Sequence, residues 1–280
     1  MTGFICVNKS KGVSSAKEVA AIKRLTGTPC GHMGTLDPMA DGVLPVAIGN
    51  AARLFDYMLD KRKKYSAKFR FGVDSDTLDT TGLVTENMGL VPEYAQVNAV
   101  LHKFIGEISQ VPPRYSAKNV AGVRGYRLAR AGVDFELPPK TVKIYSLKVT
   151  ERLGDEYSFE IECGGGTYIR SLARDIAKEL GTHAVMSALT RTQSGPFTID
   201  NSVKTETLTT ENINEFIIPT DSVLPLDSIY AQGKTAFKLF NGLSVPCDKA
   251  DGVYKIYKDG DFYGLAEVNK SLLKVRTKLC

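Results

Sequence analysis

GHMGTLDPMADGVLPVAIG, residues 31–49, places one acid, Asp37, between a glycine-rich turn and a proline, with a second acid at Asp41 close behind. No cysteine pair, serine–histidine pair or Walker lysine stands nearby to assign Asp37 a task. Two readings are open. Asp followed by Pro suits a helix start, because the carboxylate caps free amides and proline fits the first helical position. The same carboxylate would also serve as a catalytic group. Gly31, Gly34 and Gly42 read as turn residues in either case.

On both sides of this stretch the chain alternates strands and helices. FICVN (4–8) is a short apolar strand, and KGVSSAKEVAAIKRLTG follows it. Ser14 or Ser15 caps a helix there, Val19, Ile22 and Leu25 recur at helical spacing, and Gly27 closes it. In YSAKFRFGV (65–73), Tyr65, Ala67, Phe69 and Phe71 share one face, with Ser66, Lys68 and Arg70 on the other. This predicts a half-buried strand with a basic outer face. KTVKIYSLKVTERLGDEYSFEIEC (140–163) reads as two strands joined at Gly154-Asp155.

CGGGTYIR (163–170) lacks the Gly-Lys-Ser/Thr of a phosphate loop and does not fit GxGxxG. TYIRSLARDIAKELG (167–181) is an amphipathic helix with Ile169, Leu172, Ala173, Ile176, Ala177 and Leu180 in one stripe and Gly181 at its end. Arg170 falls in its first turn, where a cation opposes the positive end of the helix dipole. Such a charge either faces solvent or answers to an anion, carboxylate or phosphate. DSDTLDTTG (74–82) fails as a calcium loop, because Leu78 and Asp79 stand where that loop needs a ligand and a glycine.

The 280 residues, 43% hydrophobic and 24% charged, describe an ordinary globular protein. Net charge is only +5, but KRKK (61–64) and the 114–130 stretch concentrate it. In the latter, Arg124, Arg127 and Arg130 recur every third residue, which predicts one basic helical edge. Clustered cations suit a phosphate backbone, whose counterions they release, or form a solvated face. Five scattered cysteines without a CxxC pair, and three histidines, offer no zinc site and suit a reduced compartment. Neither a signal peptide nor a membrane-spanning run is evident, so a cytoplasmic protein is expected. Beyond about residue 225, VYKIYKDGDFYGLAEV (253–268) forms a hairpin around Asp259-Gly260, and LLKVRT adds a strand. Together they predict a small appended β-barrel.

GHMGTLDPMADGVLPVAIG, KYSAKFRFGVDSDTLDTTG, QVPPRYSAKNVAGVRGYRLARAG, CGGGTYIRSLARDIAKELG and ALTRTQSGPF, in this order, resemble the bacterial tRNA pseudouridine-55 synthases, the TruB family, over essentially the whole chain. That resemblance implies an α+β fold: a mixed, largely antiparallel sheet with flanking helices and a central RNA cleft, plus a small C-terminal PUA-like β-barrel. It implies a catalytic domain over 1–228, an RNA-gripping insertion near 112–140, and a PUA-like domain over 229–280. The implied activity converts a flipped-out uridine of the tRNA T-loop, position 55, to pseudouridine, without metal or cofactor. The implied partner is the tRNA T-arm, met by a monomer without a protein partner or a membrane. The resemblance makes Asp37 the catalytic aspartate, Arg170 its partner and Tyr65 the aromatic on the target base. His32 becomes the wedge in the T-loop and Leu189 part of the active-site wall. Tyr168, Lys64, Arg124, Arg127 and Arg130 complete the RNA contacts. Met33 departs from the Thr often found after GH in the family. A guide-RNA-dependent subunit, whose dyskerin-type relatives carry a much shorter insertion, and an RNA-folding module remain alternatives.

Overall fold

The computed structural model describes residues 1–57, 62–116, 118–120 and 122–279. In chain order its principal elements are β1 (Gly3–Lys9), α1 (Ser15–Thr26), β2 (Cys30–His32), β3 (Asp41–Ile48) and β4 (Lys63–Phe71). They continue with α2 (Tyr94–Val100), β5 (Gly106–Gln110), α3 (Gly125–Arg130), β6 (Lys140–Leu153), β7 (Glu156–Cys163), α4 (Ile169–Glu179) and β8 (Ala184–Ser194). Ser14 caps α1, its hydroxyl accepting from Lys17 N, and Gly27 ends the helix in the left-handed region at φ 61°.

One nine-stranded sheet carries the larger unit, with the order β1-β3-β8-β4-β7-β6-β5 and β2 paired to β3. Its named strands pair antiparallel except where β8 meets β3 in parallel. The sheet is therefore mixed and largely antiparallel. The parallel contact matters locally. Arg191 lies opposite Gly42, and a side chain on Gly42, at φ 94°, would sit 2.3 Å from the Arg191 carbonyl. The alternation in β4 is as expected: Tyr65, Ala67, Phe69 and Phe71 are all buried, packed in the main core with Ile176 of α4.

The basic outer face of β4 is not open. Lys68 pairs with Glu156 at 2.9 Å, and Arg70 with Asp155 at 2.7 Å and Glu86 at 3.0 Å. Just before the strand, Arg62 pairs with Glu162 at 3.2 Å. Antiparallel pairing brings Glu156 and Glu162 of β7, with Asp155 just before it, near these cations, so the charges of Arg62, Lys68 and Arg70 are answered within the protein. Lys61 of KRKK lies outside the described residues.

A second sheet follows, from β9 (Ser228–Ala231), β10 (Val245–Pro246), β11 (Gly252–Lys258), β12 (Asp261–Asn269) and β13 (Leu272–Lys278). Its order β9-β11-β12-β13-β10 makes a curled half-barrel that fits a PUA-like unit. Asp259 and Gly260 turn its hairpin with φ of 51° and 95°, as a two-residue turn requires. Leu265 and Leu279 pack with Phe4, Val43 and Ala47 of the first sheet, so a shared apolar cluster joins the two units.

Candidate active site

Residues 31–49 form strand, turn and strand, not a helix. Asp37 starts a turn in which Ala40 N donates to the Asp37 carbonyl at 3.1 Å, and β3 begins at Asp41. The expected helix cap is therefore absent: the chain re-enters the sheet too soon, and the carboxylate is engaged elsewhere.

Both sides of this turn are fixed through its backbone. The buried Lys9 ammonium donates to Val13 O at 2.7 Å and Pro38 O at 3.4 Å. The Ser15 hydroxyl donates to Leu36 O at 2.8 Å and accepts from Leu36 N at 2.9 Å. From β8, the fully buried Arg191 donates to Val43 O at 2.7 Å, Gly34 O at 2.9 Å and Thr35 O at 3.5 Å. Three charged or polar side chains thus hold the loop on which Asp37 rides. Sequence reading missed all three, since backbone carbonyls leave no residue-type signature.

Asp37 Oδ2 lies 3.0 Å from Arg170 Nη2. The guanidinium is buried and held on its other edges by Asp79 Oδ2 at 3.3 Å, Thr77 O at 3.0 Å and Tyr115 O at 3.0 Å. Arg170 is the second residue of α4, and the charge that its helix position disfavours is answered by two carboxylates. Asp79 was the unrecognised partner. It is buried, and its Oδ1 accepts from the Thr77 hydroxyl at 2.8 Å and from Thr81 N at 3.0 Å. The DSDTLDTTG segment is thus a socket for the arginine. Burial pushes the Asp37 carboxyl above the ordinary aspartate range; Arg170 pulls it down and Asp79 adds to the rise.

Asp37 opens on a cavity of about 240 Å³ that Tyr65, Tyr168, Leu189, Arg170, Ser116 and Lys63 also line. Tyr168 is placed by Gln110, whose amide donates to Tyr168 O at 3.1 Å and accepts from Tyr168 N at 2.8 Å. Burial pushes the Tyr65 phenol up to about 12. At neutral pH it is a neutral hydroxyl, so it can take a proton only while passing its own to another acceptor.

The remaining expected contacts lie outside this cavity. His32 is exposed on β2, opposite Val46, and the protein around it, with Arg191 a lesser influence, lowers its pKa by partial desolvation. Strand alternation turns Lys64 to the face opposite Tyr65; Lys63, two residues from Tyr65, faces the cavity instead. Arg124, Arg127 and Arg130 are exposed, but Arg124 ends the short strand Val123–Arg124 and precedes the six-residue helix α3. The basic edge is therefore a strand end plus one helical turn. The segment is tied to the site by Tyr115 O on Arg170 and by Tyr126 N donating to Ser116 O at 3.0 Å. Among the described residues no group of acids, cysteines and histidines could hold a metal, and no helix is long and apolar enough to cross a membrane.

Comparison with known proteins gives consistent results. Residues 23–169 match the TruB family pseudouridylate synthase N-terminal domain, and residues 170–229 the tRNA pseudouridylate synthase B C-terminal domain. A protein of Clostridium tetani named tRNA pseudouridine synthase B is 37% identical, covering 98% of each chain. One of that name from a Caulobacter species is 40% identical over 88% of this chain and 81% of its own. Among solved structures, a chain of a Cbf5-Nop10-Gar1 complex superposes with a TM-score of 0.71 at 25% identity, covering 99% of this chain and 85% of that one. The chain belongs to the TruB family of pseudouridine synthases.

Proposed function

We propose that this enzyme isomerises the uridine at position 55 of the tRNA T-loop to pseudouridine, with Asp37 as the acting carboxylate. The observation that carries the reading is the Asp37–Arg170 pair at the mouth of a cavity lined by Tyr65, Tyr168 and Leu189. The reaction breaks N1–C1′, turns the uracil, joins C5 to C1′ and transfers the C5 proton to solvent while N1 gains one. Nothing is oxidised and no water is consumed. A carboxylate starts this by attacking sugar or ring, or by removing the C2′ proton, and each route needs its ionised form. Arg170 keeps that form accessible in a partly buried site.

The target base must leave the T-loop stack, at a cost of a few kcal/mol. Stacking on an aromatic ring offsets about 1–3 kcal/mol of it, the role assigned to Tyr65. His32, at the exposed end of β2, fills the space the base leaves, and Leu189 bounds the pocket. Tyr168 and the exposed Arg124, Arg127 and Arg130 meet the RNA, the arginines on its backbone; Lys64 reaches backbone from the opposite face. Residues 1–228 form the catalytic domain and 229–280 a PUA-like RNA-binding domain. The enzyme works in the cytoplasm as a monomer, on the T-arm, without a protein partner or cofactor. The test is to incubate the purified chain with an unmodified tRNA transcript and map pseudouridine. Conversion at position 55 without added guide RNA or protein is expected; none would contradict the proposal and favour a guide-dependent subunit.

A further inference from the structure

We infer that a second cavity, beside the Asp37 pocket, takes the nucleotide adjoining the target uridine, with Lys63 and Lys140 clasping the phosphate between the two. This rests on the RNA-isomerising reading above. The second cavity measures about 240 Å³, and Lys63 and Gly166 line both it and the first. A ligand whose base occupies the first cavity and whose next base occupies the second must pass its linking phosphate across that shared wall.

The wall is built for an anion. Alternation along β4 puts Lys63 on the Tyr65 face, and its ammonium has no hydrogen-bond or ion-pair partner among the described residues. Its charged neighbours include Arg191, and burial is the larger influence; together they depress the Lys63 pKa to about 8. Cys163, the nearby thiol, is pushed by burial up to about 11 and so supplies no counter-charge at neutral pH. A half-buried cation without a carboxylate beside it is stabilised when an anion reaches it. Lys140, exposed at the start of β6, is likewise without a partner among the described residues.

Glycines seat both ammonium groups. A side chain on Gly34 would come 3.3 Å from Lys63 Nζ, and one on Gly166 would come 3.0 Å from Lys140 Nζ. Met33, Pro45, Phe55 and Phe197 also line the cavity, and none of its lining residues is acidic. Apolar and aromatic side chains lining one cavity with two cations suit a nucleobase and its phosphate. The departure from the family at Met33 gains a consequence here, since Met33 lines this cavity.

The experiment uses the full chain and T-arm hairpins with tritium at C5 of the target uridine. Each hairpin carries one uncharged methylphosphonate linkage, either 5′ or 3′ of that uridine. Wild type, Lys63→Met and Lys140→Met are compared. On the unmodified hairpin each variant should raise KM and Kd by about tenfold, with less change in kcat, and flatten the salt dependence of binding by roughly one unit of slope. On one of the two modified hairpins wild type should fall to the level of the variants, which lose nothing further. Equal losses for wild type and variants at both linkages would overturn the assignment. An abasic residue on that side should also weaken wild-type binding; unchanged affinity would remove the second base from the cavity. Turnover by wild type on the unmodified hairpin tests the isomerase reading separately, and the binding measurements stand without it. Lys140 is exposed, so Lys140→Met keeps the test intact if Lys63→Met folds poorly.

Discussion

Arg170 Nη1 stands 3.3 Å from Asp79 Oδ2 while its Nη2 serves Asp37. Asp79 is buried and away from the cavity lining, so it works through the arginine. Arg170→Ala should abolish turnover and cost about 3–5 kcal/mol of stability, because it strands the buried Asp79 carboxylate. Adding Asp79→Asn should recover much of the stability and none of the activity. Urea denaturation and tritium release measure the two effects separately, and recovery of both by the double variant would contradict the assigned roles.

With Asp37 as the proposed acting carboxylate, its raised pKa should set the acid limb of the pH–rate profile. Reaction needs the carboxylate, so kcat/KM falls as pH drops through the folded pKa. Burial raises that pKa, so the limb should lie above the ordinary aspartate value of about 3.9. The stability sign is opposite. A folded pKa above the unfolded one makes the native state bind more protons, so this group's contribution falls as pH rises between the two. Arg170→Lys, which loses the planar fork, should shift the rate limb upward; a downward shift would show that the pair does not favour ionisation.

Tyr65 is expected to act through its ring before its hydroxyl, since burial pushes its phenol up to about 12. Tyr65→Ala should weaken productive binding by about 1–3 kcal/mol, and Tyr65→Phe should spare most of that binding. If Tyr65→Phe also keeps full kcat in single-turnover measurements, the hydroxyl takes no proton. Loss of kcat with binding retained would assign it the C5 proton.

Arg191 positions the loop of Asp37 without lining its cavity. Arg191→Met should leave the Gly34 and Val43 carbonyls without their donor and cost at least about 2–3 kcal/mol. It should reduce kcat more than RNA affinity, as measured by filter binding beside turnover. Full kcat in a folded Arg191→Met protein would remove the positioning role.

Salt titrations separate the two basic surfaces. Arg127→Ala or Arg130→Ala should lower the slope of log affinity against log salt by roughly one. Lys68→Gln should leave it unchanged, because Lys68 is already neutralised by Glu156. An equal drop for Lys68→Gln would mean that the outer face of β4 also grips RNA.

Much of this architecture is written in local pattern. Alternation in 65–71 and the stripe of α4 place strand and helix, and Gly27 and Asp259-Gly260 mark their ends. Arg170 stands out because it breaks a local rule, a cation at a helix start; Asp37 breaks none and read as well as a helix cap, so its role is implied by the family resemblance. What escaped the sequence depends on distant backbone. Arg191 and Gly34 are 157 residues apart, and Lys9 reaches Pro38 across 29. Asp79 hid in a failed calcium loop, since nothing local says that its partner is an arginine of α4. The alternation that buries Tyr65 also separates the faces of Lys63 and Lys64, and only Lys63 lines the Asp37 cavity.

The most direct test compares tritium release from a C5-labelled T-arm hairpin by wild type and Asp37→Asn, with RNA affinity measured in parallel. Release by wild type, none by Asp37→Asn, and equal affinity for both are predicted. Release by Asp37→Asn at the wild-type rate would contradict the account at its centre.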